Sequence, residues 1–130
     1  MADLLDTGVA ICLRDGDPRI IDRFERLDVR PFLSVVSRVE LEGGVYAKPA
    51  FTAVRRRSLD VLLEILPVLD FDFEMAAVYG QIVAGQGFSR RKIIDRMIAA
   101  TALVHGLTVI TLNSADFSDV PTLTIADWGN

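Results

Sequence analysis

Short apolar runs alternate with longer stretches of helical spacing along the chain, punctuated by aspartate, glycine and proline. Residues 3–6 predict a first short strand, after which residues 8–13 can open a helix. Asp15, Gly16, Asp17 and Pro18 read as a turn, and Pro18 suits the first position of a helix to about residue 27. The segment PFLSVV (31–36) predicts a second strand, with a helix starting at Ser37 and another over roughly 50–66. PVLDF (67–71) predicts a third strand, followed by a helix over 73–85. Residues 89–105 form a long helical pattern closed by Gly106, and the β-branched LTVITL (107–112) suits a buried strand. Residues 123–125 supply a last short strand near Trp128. Strands alternating with helices imply an α/β fold with a mostly parallel sheet, in a single domain over residues 1–130.

Composition narrows the chemistry. No run approaches the ~20 apolar residues of a membrane span, and no basic segment precedes an apolar core at the start, so neither a membrane nor a secretory route is expected. Cys12, the only cysteine, lies among Val9, Ala10, Ile11 and Leu13 and reads as a small core residue. That usage fits a cytoplasmic protein. The net charge of −4 argues against a general nucleic-acid coat protein. Positive charge is carried by twelve arginines against only Lys48 and Lys92, in two clusters, Arg55-Arg56-Arg57 and Arg90-Arg91-Lys92. Arginine's planar fork suits phosphate, although solvated helix faces with ion pairs explain such clusters equally. His105, the only histidine, precedes Gly106 and suits the negative end of a helix dipole. Nothing remains for a Ser-His-Asp mechanism or a Cys/His zinc site.

The acidic residues are more informative. Asp6-Thr7-Gly8 also spells the catalytic loop of aspartic proteases, but those are nearly all β. In open α/β sheets, ligands lie beyond the carboxyl ends of the strands. Asp6 ends the first strand, where it could equally cap the next helix. Glu40 falls one turn into the helix after the second strand, and Ser37 to Glu40 also reads as a capping box. Asp95 shares a helix face with Ile98, Ala99 and Ala102. A carboxylate there must be paired, protonated or bound to a cation, and Arg91 is the alternative partner. Asn113 and Asp116 follow the strand 107–112, as site residues or turn residues. Four acids directed to one end of one sheet repel each other. Either some are protonated or a divalent cation sits among them, and oxygen ligands with retained waters are what magnesium and manganese prefer.

With LLDTGVAI, FLSVVSRVELEGG, IIDRMIAATALVHGLTVITLNSADF and the closing IADW, the chain resembles PIN-domain ribonucleases over its whole length, most closely the VapC-type toxins of bacterial toxin–antitoxin pairs. The resemblance implies a three-layer α/β/α sandwich, homodimeric, with Mg2+- or Mn2+-dependent endoribonuclease activity. It places Asp6, Glu40, Asp95 and Asp116 at the metal, with Ser37 and Asn113 in support. Arg90, Arg91 and Lys92 are then available for RNA phosphates, and an RNA substrate and a VapB-like antitoxin are the implied partners. Gly8 departs from the pattern, since many members carry asparagine there. Three other readings compete. One is a PIN fold kept as a silent protein-binding module, and another is DNA as the substrate. The third is a receiver-type phosphorylation switch, for which Asp70 and Asp72 are present but a lysine beyond Lys92 is missing. Leu59, Leu62, Leu63 and Leu66 suit a core or a dimer surface.

Overall fold

Five parallel strands form the centre of the computed structural model, which describes residues 2–129. They are β1 (Asp3–Leu5), β2 (Phe32–Ser34), β3 (Val68–Leu69), β4 (Thr108–Thr111) and β5 (Ile125–Asp127), in the spatial order β3-β2-β1-β4-β5. Leu4 pairs with Phe32 on one side and Val109 on the other, and Leu5 with Leu33 and Ile110. The chain therefore builds outward from β1 to β3, crosses back, and builds outward again through β4 and β5. The reversal between β1 and β4 is a topological switch point, where a crevice opens beyond the carboxyl ends of the strands.

Successive side chains of a strand point to opposite faces, so Leu4 and Leu5 belong to different cores. Leu5, Leu33 and Ile110 pack with Val9, Ala10, Leu41, Leu59 and Leu62, beneath α1 (Thr7–Arg14), α2 (Pro18–Glu25), α3 (Val35–Ala47) and α4 (Thr52–Ile65). Leu4 and Val109 pack with Ile82, Ile98, Ala99, Ala102 and Phe117, beneath α5 (Phe73–Gln86) and α6 (Ile93–His105). Both faces of the sheet are thus covered, giving the three-layer α/β/α sandwich. Leu59, Leu62 and Leu66 are buried with Leu63 packed against them, so these leucines are core and not a dimer surface.

The elements end at other residues than the sequence pattern predicts. Residues 31–36 are strand only over Phe32–Ser34, because the Ser34 hydroxyl accepts from Val36 N (3.1 Å) and starts α3 at Val35. Ser37 lies inside the helix and is fully buried, so the capping box of Ser37 and Glu40 does not form. The helix of residues 50–66 begins as a 3-10 turn, Pro49–Phe51, and that of 89–105 as another, Arg90–Lys92. The last strand moves to Ile125–Asp127, fixed by pairing with Val109, Ile110 and Thr111. Gly106 (φ +65°) ends α6 in the left-handed conformation, with His105 in the last turn. Cys12 is half-buried against the first core.

The first arginine cluster is largely spent within the fold. Arg56 grips Glu42 with both nitrogens (2.6 and 3.2 Å) and Asp60 at 2.7 Å. Arg55 donates to the Gly44 carbonyl at 2.9 Å and lies over the Phe51 ring.

Candidate metal centre

Asp6 follows β1 directly and caps α1, its Oδ1 accepting from Thr7 N at 2.8 Å. The other oxygen, Oδ2, accepts from the hydroxyl of Thr111, the last residue of β4, also at 2.8 Å. Thr111 is fully buried and its oxygen in turn accepts from Asn113 N (3.2 Å). One threonine therefore ties the Asp6 carboxylate to the turn after the neighbouring strand. Asp6 is only 8% exposed. Burial pushes its carboxyl above the usual range, the charges of Asp116 and Glu40 add to this, and the two hydrogen bonds oppose it.

Glu40 reaches the same place from α3. The Thr7 hydroxyl oxygen lies 2.6 Å from Glu40 Oε1 and 2.8 Å from Ser37 Oγ. Its single proton goes to the carboxylate, which leaves the Ser37 hydroxyl to donate to Thr7. Ser37 thus acts through Thr7, two steps from Asp6, and the exposed Glu40 is held by one end only.

Asp95 sits in the first turn of α6, half-buried. Its carboxyl is pushed up to about 6, first by burial and then by the charges of Asp6, Asp116 and Glu40, with Lys92 opposing. Arg91, the alternative partner, is exposed and forms no ion pair with Asp95 among the described residues. Asp116 lies in the 3-10 helix Ser114–Phe117, where Asn113 Nδ2 donates to its Oδ1 at 3.3 Å while Asn113 Oδ1 accepts from Ala115 N. Asp127 pins the same turn by accepting from Ser114 N (3.0 Å).

Asp6, Glu40, Asp95 and Asp116 all line one cavity of about 300 Å³, together with Thr7, Gly8, Ile11, Thr111, Leu112 and Asn113. No arginine, lysine or histidine is in that lining. A groove of about 620 Å³ between α2 and α4 is larger, but contains none of the four acids. Among the described residues, no three His, Cys, Asp or Glu side chains are already drawn together as a ligand set. A cation held by these acids would therefore need bridging waters, which magnesium commonly keeps. At Gly8 a Cβ would meet only Leu112 Cδ1, at 3.7 Å, an ordinary van der Waals contact, so the backbone there is not closed to a side-chain root. Thr7 and Thr111 are site residues that the sequence pattern does not single out. Thr111 carried a signal, as a polar residue near the end of the otherwise apolar LTVITL, at the site end of the strand. Thr7 carried none beyond its place after Asp6.

Comparison with known proteins identifies the family and the fold. The family model described as PIN domain matches residues 4–123. The chain is 31% identical to the tRNA(fMet)-specific endonuclease VapC of Salmonella typhimurium over 130 residues, 96% of each chain. A crystal structure of DNA-bound VapBC from Salmonella typhimurium matches with a TM-score of 0.83 at 30% identity, covering 98% of this chain and 99% of that one. VapBC2 from Rickettsia felis, solved with a DNA fragment from its promoter, matches with a TM-score of 0.85 over 98% and 99% of the two chains. Its identity of 22% supports the fold alone.

Proposed function

The chain belongs to the PIN-domain family, and from that membership and the carboxylate cavity we propose a divalent-metal-dependent endoribonuclease that serves as the toxin of a toxin–antitoxin pair. The observation that carries the reading is the gathering of Asp6, Glu40, Asp95 and Asp116 round one cavity with no cationic side chain in its lining. The donor set fits magnesium or manganese, since it is all oxygen, and burial together with the charges of Asp6, Asp116 and Glu40 raises Asp95 to about 6, a load that a bound cation would offset.

The chemistry a divalent cation would supply there is a lowered pKa for a coordinated water and compensation of charge on the phosphate. Asp6, Glu40, Asp95 and Asp116 would hold the ion, directly or through water. Thr111 and Thr7 fix the orientation of Asp6 and Glu40, Ser37 braces Thr7, and Asn113 aims Asp116. Arg90 and Arg91, exposed just before α6, are placed to grip flanking phosphates and offset an acidic surface. RNA is favoured over DNA as substrate because the relative at 31% identity is named as a tRNA endonuclease.

Structural neighbours include a member of the VapBC family of toxin–antitoxin systems, so an antitoxin partner is proposed for this chain, with a homodimer as the working assembly in the cytoplasm. Phe73 (95% exposed), Phe88, Val39 and Tyr46 are apolar surface available for such contacts. No helix among the described residues is long and apolar enough to cross a membrane. The test is RNA cleavage by the partner-free protein with Mg2+, with EDTA, and in the Asp95→Asn variant. Metal-dependent cleavage lost in the folded variant supports the reading. A protein that binds the product of the adjacent gene yet cleaves no RNA with metal present is a silent binding module.

A further inference from the structure

Lys92 stands between the carboxylate cavity and a buried ion pair that the site itself does not use. Arg96, four residues on and buried, donates through Nε to Asp119 Oδ2 (2.8 Å) and through Nη1 to the Gly87 carbonyl (2.6 Å). It thereby locks the end of α5, and the segment that follows the 3-10 helix Ser114–Phe117, to α6. The other oxygen of that carboxylate, Asp119 Oδ1, is buried and accepts no hydrogen bond. The Lys92 ammonium faces it at 3.9 Å, within Coulombic reach but too long for a hydrogen bond. Lys92 Nζ donates instead to the backbone carbonyl of Asp116, at 3.2 Å.

A buried carboxylate oxygen without a donor is unfavourable unless a cation is kept beside it. An arm that grips RNA phosphates holds its charge in water, as the neighbouring Arg90 and Arg91 do. The Lys92 side chain is only 33% exposed and turns inward. We propose that Lys92 is a positioning residue for the carboxylate site. Asp119, fixed by Arg96, holds the ammonium, and the ammonium holds the Asp116 carbonyl. The turn that carries Asp116 is thus kept in register with the first turn of α6, which carries Asp95. The kinetic side of this proposal rests on the nuclease reading; the structural side rests on the contacts alone.

The variants are Lys92→Met and Asp119→Asn, the latter keeping shape and a hydrogen bond to Arg96 while dropping the charge. In Lys92→Met, kcat for RNA falls at least ~10-fold with KM and the salt dependence unchanged, because a misplaced ligand costs rate and not substrate affinity. Asp119→Asn moves kcat the same way by less. Arg91→Gln gives the contrasting pattern, a raised KM and a salt slope shallower by about 0.7. Mn2+ titrated without RNA binds Lys92→Met more weakly, since Asp116 is released, whereas loss of a merely nearby positive charge tightens binding. Retained kcat with raised KM, or tighter Mn2+ binding, overturns the proposal. If the wild-type protein cleaves no RNA, it is the nuclease reading that falls. Positioning is then decided by hydrogen exchange at Asp116, Ser118 and Val120, whose amides donate to Asn113, Ala115 and Phe117. Faster exchange in both variants supports it, and unchanged exchange overturns it.

Discussion

The Asp95 carboxyl shows most directly what the site does to a single residue. Its pKa is raised from the ordinary 3.8 to about 6, so between those values the folded chain holds a proton that the unfolded chain has lost. Stability of the metal-free protein therefore falls as pH rises from about 4 to about 6, and levels off above that. The raised Asp6 carboxyl adds to the same slope. The full shift corresponds to ~3 kcal/mol, which solvent access to a half-buried group reduces to about 1–2 kcal/mol. Asp95→Asn should recover that amount at pH 7 in guanidinium unfolding without metal, while abolishing RNA cleavage. A variant less stable than wild type would mean that Asp95 has a structural partner. Thr111→Val tests the opposite case. It keeps the shape but leaves Asp6 Oδ2 without its donor, so about 1–2 kcal/mol of stability and roughly 10–100-fold in kcat should be lost, with Thr111→Ser restoring both. The four acids were legible in the sequence because each follows a strand or shares a face with apolar neighbours. The hydroxyls that aim them were not, since a threonine declares its partner only when the strands are laid side by side.

At the scale of elements, the site is made by short strands that stop early and hand over at once to a helix. Asp6 and Ser34 do the same work at the ends of β1 and β2, each capping the helix that follows. Ser34→Ala removes the acceptor for Val36 N and should cost about 1 kcal/mol, measured by chemical denaturation. Cleavage should weaken too, because α3 carries both Ser37 and Glu40, and a folded variant with full activity would show that the helix start is held by packing alone. This handover explains the errors in reading residues 31–36. Val35 and Val36 are β-branched and continue a strand pattern, yet the Ser34 hydroxyl satisfies the Val36 amide, and that local cap overrides propensity. Ser37 mimicked a cap while its hydroxyl was committed to Thr7. Element type and order were legible from apolar spacing; the ends were set by single hydroxyls and by pairing across the sheet, as with β5.

For the whole molecule, the arrangement places unlike segments under one electrostatic load. Residues near positions 6, 40, 95 and 116 meet only because the order β3-β2-β1-β4-β5 brings the ends of β1, β2 and β4 together. Their mutual repulsion is borne by the fold and opposes folding at neutral pH. A ligand that binds the folded state alone stabilises it by RT ln(1 + [L]/Kd), about 2.7 kcal/mol at a hundredfold excess over Kd. For a chain of this size that raises the melting temperature by roughly 8–13 °C. Mg2+ or Mn2+ should produce such a rise in the wild-type protein, with the increment growing from pH 5 to pH 7 as Asp95 gives up its proton. Asp95→Asn should melt higher than wild type without metal yet gain little when metal is added, so the two proteins converge at saturating metal. Calcium and sodium at matched ionic strength separate occupancy of the site from general screening. A wild-type melting temperature that ignores Mn2+ at pH 7 would mean that the carboxylate cavity does not take up the ion, and the metal-dependent reading would fall with it.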